Sequence, residues 1–263
     1  MKILFRHLNK FIMVLVLLSI GTFTTTAYAS HSWGDYHWAR TANPFTLKLG
    51  DNVTSAWDAY LNTTSNDWSL SSALNTTIIA GQTNSKNCRA VKGKVQICNN
   101  TYGKNGWLGV AQIWVNGNHI VQGTVKVNDT YFKTPTYNTS AWKNLVMCQE
   151  VGHTLGLDHQ DEIFDNPNLG TCMDYTSNPS TNQHPNTHDY DQLEIIYQHL
   201  DSFTTLLSKI GKTSPASVDD NINASDPSEW GRVVRKSKNG HNSLHERDLG
   251  KGNKVFTFVT WVN

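Results

Sequence analysis

The sequence predicts an α+β fold, on the evidence of one hairpin and one long helix. Residues 110–127 alternate apolar and polar side chains on both sides of Asn116-Gly117, a dipeptide suited to a tight hairpin turn. Residues 140–155 carry apolar side chains at the spacing of one helix face, after polar residues that can cap the first free amides. Strands and helices are therefore expected in the same chain.

The other predicted elements show the same two periodicities. Residues 45–49 (FTLKL) and 76–80 (TTIIA) have the character of strands, and residues 53–61 carry apolar side chains at helical spacing. Gly156 is the expected end of the long helix, because glycine adopts the left-handed conformation of a helix C-cap without strain. A second helix is predicted over 189–200.

The composition changes after this second helix. Residues 214–252 are polar and rich in turn-forming residues without a sustained period, which predicts a long loop or a partly disordered segment. The chain then ends in residues 254–262 (KVFTFVTWV), whose alternation predicts a strand. We therefore expect a main domain at 30–202 and a C-terminal extension at 203–263 that packs on it.

The first 29 residues have the features of an export signal. Basic residues precede a short apolar run at 11–20, and Ala27 and Ala29 supply the small side chains that a signal peptidase accepts. The run is shorter than the roughly 20 residues needed to span a bilayer. We therefore interpret 1–29 as a signal peptide and the protein as secreted, with an uncleaved membrane anchor as the alternative.

The charge balance excludes some classes of partner. Three of the 22 Lys and Arg residues lie in the signal, which leaves 19 against 21 Asp and Glu in the rest of the chain. Such a balance indicates neither a nucleic-acid partner nor an anionic membrane surface. Asn, Ser, Thr and Gly are plentiful, which predicts many turns.

The cysteines predict two disulfides. Cys88, Cys98, Cys148 and Cys172 all lie beyond the signal, and an even number in an exported chain is typical of disulfide pairing. Cys88 and Cys98 are ten apart and flank a predicted hairpin, so we pair them, which leaves Cys148 with Cys172. A zinc site of four cysteines is the competing interpretation, but no C-x-x-C spacing supports it.

Residues 148–159 (CQEVGHTLGLDH) have the spacing of a metal site. Gln149 and His153 are four apart, so on a helix they project from the same face one turn apart. Glu150 is rotated by about 100° around the helix axis, where its carboxylate can reach a metal-bound water without binding the metal. After the helix ends, His159 can approach as a third ligand, which leaves a fourth position for water.

This segment resembles the zinc signature of the metzincin metallopeptidases, H-E-x-x-H-x-x-G-x-x-H, except at the first position, where this chain has Gln149. Residues 171–175 (TCMDY) resemble the Met-turn of that superfamily. The resemblance implies a matrixin-like domain with a twisted mixed sheet and an active-site helix. The hairpin at 110–127 resembles the sheet that precedes this helix, and in the family the edge strand of that sheet binds substrate in extended form. The resemblance also implies that Met173 forms an apolar floor beneath the metal and that Tyr175 approaches the metal or the oxyanion.

The function implied by the resemblance is that of a secreted, monomeric, zinc-dependent endopeptidase acting on protein or peptide substrates. Zn²⁺ held by Gln149, His153 and His159 would polarise the scissile carbonyl, and Glu150 would move the proton of the attacking water. Because zinc in proteins is held chiefly by Cys, His and carboxylates, Gln149 is an unusual ligand. The alternative is a catalytically impaired pseudo-peptidase that serves as a secreted binding module.

Other polar residues have simpler interpretations. His119 is expected to be a strand surface residue, and His184 and His188 are expected to be solvated in a loop. The acidic side chains at 158–165 could attract Ca²⁺, but they lack the ligand spacing of a calcium loop, which favours a solvated acidic loop.

Overall fold

A computed structural model describes residues 30–207 and 225–262. Within these ranges the chain forms nine β-strands and four α-helices. The strands are β1 (His37–Trp38), β2 (Phe45–Asn52), β3 (Leu74–Ala80), β4 (Lys94–Asn100), β5 (Trp107–Asn116), β6 (His119–Asn128), β7 (Arg232–Lys236), β8 (Asn242–Gly250) and β9 (Asn253–Trp261). The helices are α1 (Asp58–Trp68), α2 (Asp129–Phe132), α3 (Ser140–Thr154) and α4 (Thr187–Ile196). The predicted signal peptide at 1–29 lies outside the described residues.

All nine strands belong to one sheet. Across the sheet, hydrogen-bonded strands follow one another in the order β3-β2-β4-β6-β5-β9-β8-β7. The short β1 pairs with β6 and lies outside this order. The pairs among β1, β2, β3, β4 and β6 are parallel, whereas every pair that involves β5, β7, β8 or β9 is antiparallel. The prediction is confirmed at this level, because the fold combines a large twisted mixed sheet with few helices.

The predicted hairpin is present as β5 and β6, with a small difference at its turn. Asn116 pairs with His119, so the two turn residues are Gly117 and Asn118 rather than Asn116 and Gly117. The φ of Gly117 is 58°, in the left-handed region that glycine enters without a steric cost. The predicted strands at 45–49 and 76–80 are likewise present, within β2 and β3.

The helices differ from the predictions mainly in their ends. The first, α1, begins at Asp58 rather than at residue 53, and α4 ends at Ile196 rather than at residue 200. The long helix α3 begins as predicted, where the hydroxyl of Thr139 accepts a hydrogen bond from the N–H of Trp142 at 3.2 Å. A hydroxyl at this position satisfies one of the amides that the first helical turn leaves unpaired.

Two buried tryptophans fix the C-terminal half of α3. The indole N–H of Trp68 in α1 donates to the backbone oxygen of Cys148 at 3.2 Å, and that of Trp38 in β1 donates to the backbone oxygen of Thr154 at 2.9 Å. Both rings are fully buried. An indole that finds an acceptor contributes its apolar burial without leaving a donor unpaired. The part of α3 that carries the predicted site is therefore held from two sides.

The C-terminal extension corrects two expectations. Segment 214–252 was expected to lack regular structure, yet its described part contains β7 and β8. The hairpin at 110–127 was expected in a sheet with a substrate-binding edge strand, yet both hairpin strands lie in the interior of the sheet, because β9 pairs with β5 along its length. The physical reason is that the backbone N–H and C=O groups of β9 satisfy those that β5 would otherwise expose.

Both predicted disulfides are present. Cys88 pairs with Cys98 and Cys148 pairs with Cys172, which accounts for all four cysteines. Disulfides persist in oxidising compartments, which agrees with an exported protein. No helix in the described part of the chain is long and apolar enough to cross a membrane.

Candidate metal and catalytic site

The turn after α3 brings two of the predicted ligands, His153 and His159, close together. Gly156 has a φ of 95°, and a Cβ atom on this residue would lie 2.4 Å from the backbone oxygen of Tyr36, so the turn requires glycine. The chain then reverses, and the N–H of Asp158 donates to the backbone oxygen of His31 at 2.6 Å. This reversal places His159 beside the end of the helix.

His153 and His159 form the centre of the site. Their ring centroids are 4.6 Å apart, and both side chains are buried. Nδ1 of His153 lies 3.0 Å from the backbone oxygen of Leu157, and Nδ1 of His159 lies 3.5 Å from Oδ1 of Asp158. The contact of His153 holds the proton on Nδ1 and leaves the lone pair on Nε2, as in metal-binding histidines, whereas Nδ1 of His159 makes no hydrogen bond within the described residues. Burial lowers the pKa of both imidazoles, which keeps them neutral.

Gln149 is buried on the same helix, and both ends of its amide are hydrogen-bonded. Its Nε2 donates to the backbone oxygen of Cys172 at 2.9 Å, and its Oε1 lies 3.0 Å from the hydroxyl of Thr260. The Cys172 contact fixes which end of the amide is nitrogen. An amide oxygen has two lone pairs, so Oε1 can accept one further interaction.

Glu150 is fully buried between α3 and strand β5. Its Oε1 lies 2.8 Å from the hydroxyl of Thr260, and the N–H of Ala111 donates to the same carboxyl group. A Cβ atom at Gly109 would lie 2.4 Å from Oε1, so β5 admits the carboxyl only because this residue is glycine. Burial raises the pKa of Glu150 to about 8. Within the described residues, Oε2 has no hydrogen-bond partner.

The hydroxyl of Thr260 therefore has two acceptors and a single proton to donate. It lies within hydrogen-bonding distance of both Gln149 Oε1 and Glu150 Oε1. Both contacts are satisfied when Glu150 is protonated, because the carboxyl then donates to Thr260 and Thr260 donates to Gln149. The raised pKa of Glu150 agrees with this arrangement. In it, the carboxyl acts as a hydrogen-bond donor rather than as a base.

The segment around Met173 lies against the end of α3. Met173 is fully buried, and a Cβ atom at Gly152 would lie 2.5 Å from its sulfur, so the missing side chain lets helix and methionine approach closely. The ring of Tyr175 packs on that of His159, with centroids 4.1 Å apart. The Cys148–Cys172 disulfide connects this segment to α3.

Strands β7 and β9 cover the site from the other side. The ring of Phe258 stacks on that of His153, with centroids 4.3 Å apart and 9° between the planes. Arg235 in β7 forms an ion pair with Asp158. The space between Arg235, Phe258 and His159 does not admit a water molecule. The sequence predicted the terminal strand but not its position, because alternation indicates a strand without indicating its neighbour.

A second group of potential metal ligands lies away from this site. Within the described ranges, His37, His199 and Asp201 form a group of three His, Cys, Asp or Glu side chains whose donor atoms all lie within 4.8 Å of one another, close enough to share a metal ion. His119, expected to be a strand surface residue, lies in β6 with a partly exposed side chain and also contacts Asp201, with Nε2 3.2 Å from Oδ1. His37 and Asp201 are 164 residues apart, so no local motif could reveal the group.

Comparisons with known proteins add no relative to this picture. No protein-family model matches the sequence, and no curated protein shows significant similarity to it. The metzincin resemblance therefore depends on residues 149–175 of the chain itself.

Proposed function

We propose that the protein is a secreted, zinc-dependent endopeptidase of the metzincin type, held latent by its own C-terminal strand. The observation that carries this proposal is the pair formed by His153 and His159. Nδ1 of His153 is hydrogen-bonded to the backbone oxygen of Leu157, which leaves its Nε2 to bind a cation, and neither ring nitrogen of the adjacent His159 has a hydrogen-bond partner within the described residues. Glu150 is the buried carboxyl next to this pair on the same helix.

The donor set fits a zinc ion. Nε2 of His153, Nε2 of His159 and Oε1 of Gln149 would hold it, and three neutral ligands leave the charge of the ion undiminished. In the described part of the chain, both ring nitrogens of His159 and Oε2 of Glu150 are buried atoms without hydrogen-bond partners. Unpaired buried polar atoms are rare in proteins; a bound ion would satisfy Nε2 of His159, and its water, admitted once β9 moves aside, would satisfy Oε2 of Glu150.

The zinc ion and two side chains would each have a separate role in peptide hydrolysis. Zinc, when bound, would act as a Lewis acid toward the peptide carbonyl. Glu150 would hold the attacking water, accept its proton on a carboxylate oxygen and deliver that proton to the leaving amine nitrogen. Tyr175 would donate its phenolic hydrogen to the developing oxyanion, and because burial raises its pKa it stays protonated.

Latency is proposed because β9 occupies the position that an extended substrate takes in the metzincin resemblance. This strand runs antiparallel to β5, with Thr260 opposite Gly109 beside the carboxyl of Glu150. A substrate can pair with β5 only after β9 has separated from it around Phe258 and Thr260. The ion pair between Arg235 and Asp158 adds a second attachment that must open.

The hydrogen bonds of Gln149 favour a second function, that of a secreted binding module with an inactive site. Gln149 stands where the metzincin signature has histidine, and its amide already bonds Cys172 and Thr260. If these bonds persist, a zinc ion has only two protein ligands, and two imidazoles hold zinc weakly. The two functions differ in zinc content and in hydrolysis, which can both be measured.

Hydrolysis of a quenched fluorescent peptide library by the zinc-loaded chain tests the proposal. The Phe258→Ala substitution removes the ring stacked on His153 and weakens the cover. We expect little cleavage by the unaltered chain and cleavage at least about tenfold faster by Phe258→Ala, which corresponds to about 1.4 kcal/mol. Adding Glu150→Gln, or a chelator, should abolish this activity.

The matched control is Thr257→Val, in the same strand. Because alternate residues of a strand point to opposite faces, Thr257 faces away from α3, where it accepts a hydrogen bond from Gln112. This variant should stay as inactive as the unaltered chain. Folded Phe258→Ala protein that binds no zinc at His153 and cleaves nothing would instead favour the binding module, especially if Gln149→His restored both properties.

A further inference from the structure

We propose that His37, His199 and Asp201 form a second zinc site, which is structural and independent of the proposed active site. Nε2 of His37 lies 3.2 Å from Nε2 of His199 and 3.5 Å from Oδ1 of Asp201. The third side of this triangle, from His199 Nε2 to Asp201 Oδ1, measures 3.9 Å. Zinc bonds of 2.0–2.2 Å in a tetrahedron place neighbouring ligand atoms about 3.4 Å apart. The triangle therefore matches one face of a zinc tetrahedron.

Surrounding contacts orient two of these ligands. Nδ1 of His37 lies 2.7 Å from the backbone oxygen of Asp35, so it donates its hydrogen there and leaves the lone pair on Nε2. The backbone N–H and the guanidinium of Arg40 both donate to Oδ2 of Asp201, at 3.1 and 2.8 Å. Oδ1 of that carboxylate therefore faces the imidazoles, where His119 also contacts it.

A cation at the centre of the triangle would bind all three ligand atoms at once. The lone pair of His37 Nε2 faces the carboxylate oxygen of Asp201, and both are acceptors. Without an ion, these two acceptors depend on separate protons, one on His199 and one on His119. The guanidinium of Arg40 repels a positive ion at this position, whereas the carboxylate of Asp201 and the two imidazoles attract it. The affinity of the site is set by the balance between this repulsion and this attraction.

The ligand types and their exposure define the ion. Imidazole with carboxylate suits Zn²⁺ rather than Ca²⁺ or Mg²⁺, which take oxygen ligands. His37 and Asp201 are almost completely buried, while the side chain of His199 is 51% exposed. One side of the site is thus open to solvent, which lets the ion enter and a water complete its coordination. The ion would join β1 to the segment after α4.

Zinc content and thermal unfolding of the full chain test this site. Three proteins are compared: the unaltered chain, His199→Ala and His184→Ala. Each is stripped of metal, reloaded with Zn²⁺ and separated from unbound Zn²⁺, and its bound zinc is then measured by mass spectrometry. His184 is the matched control, because it is an exposed histidine paired with a carboxylate, that of Asp67, away from the cluster. We expect His199→Ala to bind about one zinc ion fewer than the other two proteins, and to lose the zinc-dependent rise in Tm.

The same comparison in a His153→Ala background separates this site from the proposed active site. Loss of one further zinc ion on adding His199→Ala supports the second site whether or not the first binds metal. Equal zinc content in the folded His199→Ala and His184→Ala proteins overturns the proposal. If His199→Ala disturbs the fold, His199→Phe replaces it, since phenylalanine keeps a planar ring at this half-exposed position and has no atom that can bind the ion.

Discussion

The hydroxyl of Thr260 lies 2.8 Å from Oε1 of Glu150, although the two residues are 110 positions apart in the sequence. The same hydroxyl reaches Oε1 of Gln149 at 3.0 Å. The last strand of the chain and the proposed catalytic residues therefore form one hydrogen-bonded unit. Opening the site to a substrate requires that this unit be broken, which is the physical basis of the latency that we propose.

Replacing Gln149 with histidine should strengthen zinc binding at the proposed active site. In a His199→Ala background, which removes the second site, we expect Gln149→His to tighten zinc binding by at least about tenfold, or about 1.4 kcal/mol. The metal-free protein should lose about 1–2 kcal/mol of folding stability, because Cys172 and Thr260 lose a hydrogen-bond partner. Competition with a chromogenic chelator and urea unfolding measure the two effects. Unchanged zinc affinity would mean that position 149 is not a ligand position.

Adding a methyl group at Gly152 should destabilise the fold. The new Cβ atom would lie 2.5 Å from the sulfur of Met173 and 2.8 Å from the ring of Trp68. Overpacking of this kind costs about 1–3 kcal/mol, which exceeds the gain of up to about 1 kcal/mol from replacing a helical glycine with alanine. We expect Gly152→Ala to unfold at lower urea than the unaltered chain. Equal or greater stability would show that Met173 does not press on α3.

The two disulfides should differ in their effect on the site. Removal of the Cys148–Cys172 bridge by a double serine substitution should cost about 3 kcal/mol of stability and also weaken zinc binding at His153, because it frees the Met173 segment from α3. The Cys88–Cys98 bridge provides the matched control. Its removal should cost a similar free energy of unfolding and leave zinc binding unchanged. Weakened binding in both double variants, or in neither, would contradict this account.

Much of the local structure was predictable, because short-range patterns specify it. The alternation in β5 and β6, the Thr139 cap and the left-handed Gly156 each depend on a few neighbouring residues, and all three are present. The contact of Phe258 with His153 was not predictable. It depends on which strand pairs with β5, and an apolar strand pattern suits many neighbours.

The second ligand group shows the same limit of sequence reasoning. His37 lies in β1, whereas His199 and Asp201 follow α4, and nothing in their spacing relates them. Only the fold brings the two ends of the main domain together. His119 was interpreted as an ordinary strand residue for the same reason, since its contact with Asp201 crosses 82 positions.

Lys126 should make the stability of the protein depend on pH. Its side chain is fully buried in β6, with Nζ 2.8 Å from the hydroxyl of Ser225. Burial lowers the pKa of Lys126 to about 7, from about 10.4 in an unfolded chain. Between these values the unfolded state holds a proton that the folded state has lost, so the free energy of unfolding rises with pH from about 7 to about 10. Below about pH 7 both states are protonated and the full cost of the buried charge remains.

The substitution Lys126→Met tests this dependence. Removal of the buried charge should raise the free energy of unfolding at pH 7 by about 1–3 kcal/mol and should flatten its rise toward pH 10. Urea unfolding followed by tryptophan fluorescence at several pH values measures both. A rise with the same slope in both proteins would show that Lys126 does not titrate in this range.

The position of zinc in crystals of the zinc-loaded chain tests the central claim most directly. An anomalous difference map at the zinc absorption edge should show a peak bounded by Nε2 of His153, Nε2 of His159 and Oε1 of Gln149, with bonds of about 2.0–2.2 Å. Glu150 should lie beside the ion without binding it. A map with no peak between His153 and His159, with both imidazoles ordered, would contradict the claim that these residues form a catalytic zinc site.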